Sequence, residues 1–186
     1  MGPTASERDF QRLSSERVFE GAIVAIDRER YRYPDGEEVT REIIRHPGAV
    51  GVVAVDERHV WLVRQPREAA NDPDMLEIPA GKLDEEGESP LDTGRRELAE
   101  EIGRGAETWE HLTTFFTSCG IMDEQVHLYL ATGLHEQTAE PPDHNERIEI
   151  VPWPLSSLDE AIAQTRDSKT LIGLLLLQRR LQRTGG

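Results

Sequence analysis

Three glutamates, Glu97, Glu100 and Glu101, stand at i, i+3 and i+4 in the chain. At about 100° per residue they fall within roughly 100° of one another on a helix, while Leu91, Leu98 and Ile102 gather on another side. Like charges at this spacing destabilise an isolated helix by about 0.2–0.5 kcal/mol per pair. A compensating cation is therefore expected. A hard divalent ion such as Mg²⁺ suits such a group, because it binds few carboxylate oxygens and keeps positions for water and substrate phosphate oxygens. Taken alone, the acidic spacing favours a solvated helix face; the residues around it overturn that reading.

The helix that must carry the carboxylates has clear limits in the sequence. Ser89 can cap its free amides, Pro90 takes the first helical position, and Asp92 sits in the first turn where negative charge is favourable. Gly103 suits the C-terminal cap. Before the helix, MLEIPAG predicts a brief strand that delivers Ala80 and Gly81 to it.

Residues 80–103, AGKLDEEGESPLDTGRRELAEEIG, resemble the Nudix box, whose pattern is Gly, five residues, Glu, seven residues, Arg-Glu-apolar-any-Glu-Glu-any-Gly-apolar. Gly81, Glu88, Arg96, Glu97, Leu98, Glu100, Glu101 and Gly103 occupy its fixed positions. Six residues rather than five separate Gly81 from Glu88, and Arg104 stands where an apolar residue is usual. The extra residue precedes the helix and leaves the spacing of the three glutamates unchanged.

Further segments resemble the ADP-ribose pyrophosphatase branch of that family: Arg41-Glu42, HPGAV at 46–50, Gln65 and Arg67, EIPAGKLD at 77–84 and DSKTLIGLLLL at 167–177. The resemblance implies an α/β/α sandwich with mixed sheets and an N-terminal β-hairpin extension. It implies Mg²⁺-dependent cleavage of ADP-ribose to AMP and ribose 5-phosphate, with Mn²⁺ as the other candidate metal. Alternatives are another nucleoside diphosphate sugar as substrate, or a Nudix-like ligand-binding domain without catalysis. Such domains typically lose box glutamates, and this chain keeps them.

By the same resemblance Glu97 and Glu101 are the main metal ligands, completed by Glu100 and the carbonyl oxygen of Ala80. Arg96 orients these carboxylates, and Glu88 pairs with it or supports the shell. Arg41, Arg67, Glu77, Gly81 and Asp123 are the expected substrate contacts. The general base is expected at Glu146, in DHNERIEI, with Glu149 in reserve. Two departures bear on substrate choice: Cys119 replaces the proline usual sixteen residues after the last box glycine, and Pro66 replaces an aromatic residue between Gln65 and Arg67. Loss of a φ-fixing proline can relax a substrate loop.

The remaining chain reads as a single soluble domain of 186 residues with a small appended element. Residues 1–15 are expected to be a flexible N-terminus, 16–46 a hairpin turning at Pro34-Asp35-Gly36 and joining a homodimer, and 47–184 the hydrolase domain. GAVGVVAVD and HVWLVRQ predict strands buried on both faces; WEHLTTFFT, QVHLYLAT and RIEIVPWPL predict three more. Ser118–Glu124 reads as a loop, and so does EQTAEPPDHNE. Ser157 followed by Glu160 predicts a capped helix, and LIGLLLLQRRL a terminal one. A net charge of −15, from 36 acidic against 21 basic residues, opposes polyanion binding, so no nucleic-acid partner is expected. One cysteine allows no internal disulfide. No signal peptide or membrane span is legible, which points to the cytoplasm.

Overall fold

In the computed structural model, residues 9–139 and 147–184 are described. Ten strands and three longer helices follow in the order β1 (Gln11–Glu20), β2 (Ala25–Arg32), β3 (Glu38–Arg45), β4 (Ala49–Val55), β5 (His59–Arg67), β6 (Asp72–Glu77), β7 (Ala80–Lys82), α1 (Pro90–Ile102), β8 (Arg104–Phe116), β9 (Gln125–Glu136), β10 (Glu149–Pro154), α2 (Leu158–Gln164) and α3 (Ser168–Thr184). The chain divides into two compact units. One comprises the described residues through Pro47 together with Phe116–Glu124; the other comprises Gly48–Phe115 and the chain from Gln125 on.

In the larger unit, alternation along the strands builds two cores. Strand order is β10-β5-β4-β9-β8, with β6 paired to β5 and β7 to β4. β4 and β9 run parallel, while β4 meets β5 and β7 antiparallel, so the sheet is mixed. Side chains alternate across a strand. Val53, Val55, Val60, Leu62, Leu128 and Leu130 pack on one face with Leu158, Ala161, Leu174 and Leu177 of α2 and α3. Val52, Ala54, Val63 and Ala131 pack on the other with Leu98 and Ile102 of α1. Helices thus cover both faces, as the apolar runs of β4 and β5 require. Each face has a glycine at closest approach: a Cβ on Gly94 of α1 would lie 3.2 Å from Val50 Cγ2, and one on Gly173 of α3 would lie 2.8 Å from Val53 Cγ2.

The smaller unit differs from the expected hairpin. It is a three-stranded antiparallel sheet in the order β1-β2-β3. Strand β1 begins at Gln11, inside the segment 1–15 expected to be flexible. Its residues are nearly all exposed and show no apolar alternation, so its pairing with β2 and its charge pairs define it instead. Arg12 reaches Glu29 at 3.0 Å and Arg17 reaches Asp27. The turn at Pro34–Gly36 forms, with Gly36 N–H donating to Tyr33 O at 3.0 Å. The loop Ser118–Glu124 belongs to this unit: Ile44 N–H donates to Ile121 O at 2.8 Å, and Asp123 N–H to Ile44 O at 3.1 Å.

Three local features also depart from the sequence reading. MLEIPAG holds two short strands, β6 and β7, because the chain leaves β5 after Glu77 and joins β4 at Ala80. Ser157 occupies the N-cap position of α2 but makes no side-chain cap bond: it ends a turn of 3-10 helix at φ −119°, ψ 29°, and its hydroxyl donates to Pro154 O at 3.3 Å. Helix α3 starts earlier than its apolar run, at Ser168, because the Asp167 carboxylate accepts from Thr170 N–H at 2.9 Å. Among the described residues no helix is long and apolar enough to cross a membrane.

Candidate active site

Helix α1 forms as its local signals require. Ser89 lies extended and its hydroxyl accepts from Asp92 N–H at 3.2 Å, with Pro90 opening the helix. At the other end Gly103 adopts φ 66°, ψ 29°, and its N–H bonds back to Ala99 and Leu98 carbonyls. Leu98, Ala99 and Ile102 are buried, so the carboxylate face is set by the packing of the opposite one.

Strand β7 delivers Ala80 and Gly81 by pairing with Gly51 and Val50 of β4. Gly81 lies flat against Glu97: any Cβ there would overlap the Glu97 carboxylate. Glu101 is buried at 6% exposure, and its Oε2 accepts from Ala80 N–H at 3.2 Å. The structure therefore brings Ala80, Gly81, Glu97 and Glu101 together across the junction of β7 and α1.

Arg96 supplies the positive charge among these acids. Nη1 donates to Glu97 Oε1 at 2.9 Å and to Glu100 Oε2 at 3.0 Å, while Nε lies 3.2 Å from Glu88 Oε1. Burial alone would lower the guanidinium pKa. The Glu88 hydrogen bonds and the charges of Glu97 and Glu100 outweigh it, so it lies above its ordinary value. Glu88 is correspondingly held below the usual carboxylate range by Arg96. Its Oε2 also accepts from Thr93 Oγ1 at 2.9 Å, which anchors the preceding loop to the helix. Among the described residues no three histidine, cysteine, aspartate or glutamate side chains are grouped closely enough to hold a metal ion by themselves.

Glu77 and Arg67 form a second cluster, between β6 and β5. Arg67 Nε and Nη2 grip the two Glu77 oxygens at 2.5 and 2.7 Å. Those bonds raise the Arg67 pKa against burial, and the charges of Asp167 and Glu101 add to the effect. Glu77, a substrate contact by the family resemblance, faces inward at 1% exposure, with both oxygens engaged by Arg67 and Lys169. Lys169, not singled out from the sequence, is its second partner at 2.5 Å. In the sequence, DSKTLIGLLLL shows a family resemblance and an apolar run. The sole local hint was a lysine between a capping aspartate and that run.

Arg41 and Asp123 lie in the smaller unit and line one cavity of about 430 Å³ with Phe10, Tyr31, Tyr33 and Ile43. Asp123 is structurally engaged: Oδ2 accepts from Arg45 Nη1 at 2.9 Å and Oδ1 from His46 N–H at 2.9 Å. Arg45 was not anticipated, yet it also holds Asp27 at 2.9 Å and Glu29 at 2.6 Å. Cys119 is exposed and lines the same cavity. The expected base Glu146 lies outside the described residues. Glu149, the reserve, is the exposed first residue of β10.

Residues 45–183 match the NUDIX domain family. The chain is 43% identical over 146 residues to the ADP-ribose pyrophosphatase of Mycobacterium tuberculosis, covering 78% of this chain and 70% of that protein. It is 37% identical over 171 residues to the ADP-ribose pyrophosphatase of Bacillus subtilis, covering 89% and 91%. It is also 39% identical over 170 residues to the methanol dehydrogenase activator of Bacillus methanolicus, again covering 89% and 91%. A solved structure described as an ADP compounds hydrolase shares the fold with a TM-score of 0.84 at 21% identity, covering 98% of this chain and 99% of that one.

Proposed function

The chain belongs to the NUDIX family, and on that premise we propose that it hydrolyses the diphosphate bond of ADP-ribose to AMP and ribose 5-phosphate with a divalent metal. The observation that carries this reading is the Glu97 carboxylate laid against Gly81, beside Glu101 bonded to Ala80 N–H. The two pyrophosphatase relatives, at 43% and 37% identity, support ADP-ribose as substrate.

The donor set fits a hard divalent cation. Glu97, Glu100, Glu101 and the Ala80 carbonyl offer oxygen only, the chemistry that Mg²⁺ or Mn²⁺ prefers. Bound there, the metal would neutralise diphosphate oxygens and favour hydroxide over water as nucleophile. The protein's own part is positional. Arg96 holds Glu97 and Glu100 at fixed separation before any ligand arrives. Ala80 N–H fixes the rotamer of Glu101. Arg67 offers positive charge to a diphosphate, and Arg41 is the second arginine assigned to substrate by the family resemblance. Glu146 accepts the proton of the attacking water as general base.

We further propose a homodimer formed through the smaller unit. Phe10, Phe19 and Ile23 there are 58%, 51% and 58% exposed, and large apolar side chains left in water favour association. A second reading takes its support from the Bacillus methanolicus relative: the chain would act as an activator of an alcohol dehydrogenase. One panel separates the readings. Release of phosphate is measured from ADP-ribose, ADP-glucose, GDP-mannose and NADH, each coupled to a phosphatase, and the rate of methanol oxidation by purified methanol dehydrogenase is measured with and without this protein. Fastest turnover of ADP-ribose with the dehydrogenase rate unchanged supports the first reading. Absence of turnover from all four removes it.

A further inference from the structure

The Arg67–Glu77 pair does not stand alone. Glu77 Oε2 is shared between Arg67 Nη2 at 2.7 Å and Lys169 Nζ at 2.5 Å, and Lys169 Nζ lies 3.1 Å from Asp167 Oδ2. The Lys169 side chain is only 13% exposed. Burying an ammonium costs free energy that a bidentate arginine has already made unnecessary for satisfying Glu77. The second cation therefore calls for a reason beyond pairing.

Charge supplies it. Arg67 and Lys169 balance Glu77 and Asp167, so these four side chains sum to zero, with the charge of Glu101 also acting on Arg67. Without Lys169 the cluster would carry one net negative charge, and the field of Arg67 would be cancelled by Glu77 with Asp167 unopposed. A diphosphate approaching Arg67 would then meet net repulsion. With Lys169 in place, Glu77 divides its attraction between two cations and Arg67 keeps positive potential for an anion. The grip on Arg67 is side-on, through Nε and Nη2, so Nη1 stands outside the pair.

Geometry fixes the same residues. Asp167 Oδ2 also accepts from Thr170 N–H at 2.9 Å and from Thr170 Oγ1 at 2.6 Å, and Thr170 Oγ1 accepts from Ile78 N–H at 2.9 Å. Two residues earlier, Leu76 O accepts from Thr165 Oγ1 at 2.8 Å. The start of α3 thus clamps Leu76, Glu77 and Ile78, the segment that leads directly into Ala80 and Gly81.

We propose that Lys169 is a positioning residue for diphosphate binding: it holds Glu77 so that Arg67 is oriented and left electropositive towards the substrate. This rests on the diphosphatase reading above. Steady-state kinetics with ADP-ribose compare wild type, K169M, K169R, R67A and R67A/K169M. K169M raises KM about fivefold with kcat within twofold, the pattern of lost uniform binding, and K169R restores most of it. The KM increase caused by K169M is smaller in the R67A background than in wild type, because there is then no arginine to orient. A merely structural lysine gives the opposite pattern, a lower apparent kcat with unchanged KM and additive losses in the double variant, and that result overturns the proposal. Should K169M fail to fold, K169Q, which keeps a hydrogen-bond donor towards Glu77 but not the charge, is expected to keep kcat and raise KM; unchanged KM there overturns it equally. Wild-type enzyme without turnover removes the diphosphatase reading itself, and this inference with it.

Discussion

Gly81 and Glu97 touch so closely that the backbone of one is the floor beneath the carboxylate of the other. A Cβ at position 81 must push the Glu97 side chain aside, and a carboxylate is the flexible end that yields. Gly81→Ala is therefore expected to cut kcat/KM at least tenfold while shifting Tm by no more than a few degrees. The Mg²⁺ concentration for half-maximal rate should rise with it. Thermal melts and a metal titration check this; full activity in the variant would separate Gly81 from the site.

Glu101 is buried and bonded to Ala80 N–H. A glutamine keeps the shape and the acceptor oxygen but not the charge. Glu101→Gln is expected to fold normally by circular dichroism and to lose about 100-fold or more in turnover, as removal of a charge-stabilising group does. Retained turnover would take Glu101 out of the metal assignment.

Arg96 is the counter-charge that Glu88, Glu97 and Glu100 share. Arg96→Met leaves those acids opposed only by solvent cations. Without divalent metal its Tm should fall by about 2–4 °C, the shift that about 1 kcal/mol produces in a chain of this size. Because a ligand that binds only the folded state stabilises it, millimolar MgCl₂ should raise Tm more in the variant than in wild type. An equal or smaller rise would show that the glutamates do not take the ion.

Asp27 and Glu29 titrate below the ordinary carboxylate range. For Asp27 the cause is hydrogen bonds from Arg17 and then Arg45; for Glu29, burial acts upward and is outweighed by bonds from Tyr31, Ser15 and Arg45. A depressed folded pKa means a contribution present above the unfolded value and lost as pH falls through the folded one. The three-stranded sheet should therefore keep its amide protection from pH 8 to 5 and lose it progressively below about pH 4. Hydrogen exchange corrected for intrinsic rates measures this. Arg45→Met should flatten the dependence, and protection unchanged down to pH 3 would contradict it.

What the chain alone determined is what depends on neighbours a few residues away. Ser89, Pro90 and Gly103 bound α1, and the spacing of Glu97, Glu100 and Glu101 places them on one face, because capping and helical periodicity act within a turn or two. The two-sided burial of β4 and β5 was legible in their unbroken apolar runs. Strand β1 was hidden, since an exposed strand held by partners and ion pairs carries no apolar alternation. Tertiary structure alone decided that the loop around Asp123 joins β3, that Glu77 faces inward, and that Lys169, 92 residues further on, completes its pairing. Such contacts are chosen by where strands cross and which charges must be buried together, and no local pattern records them.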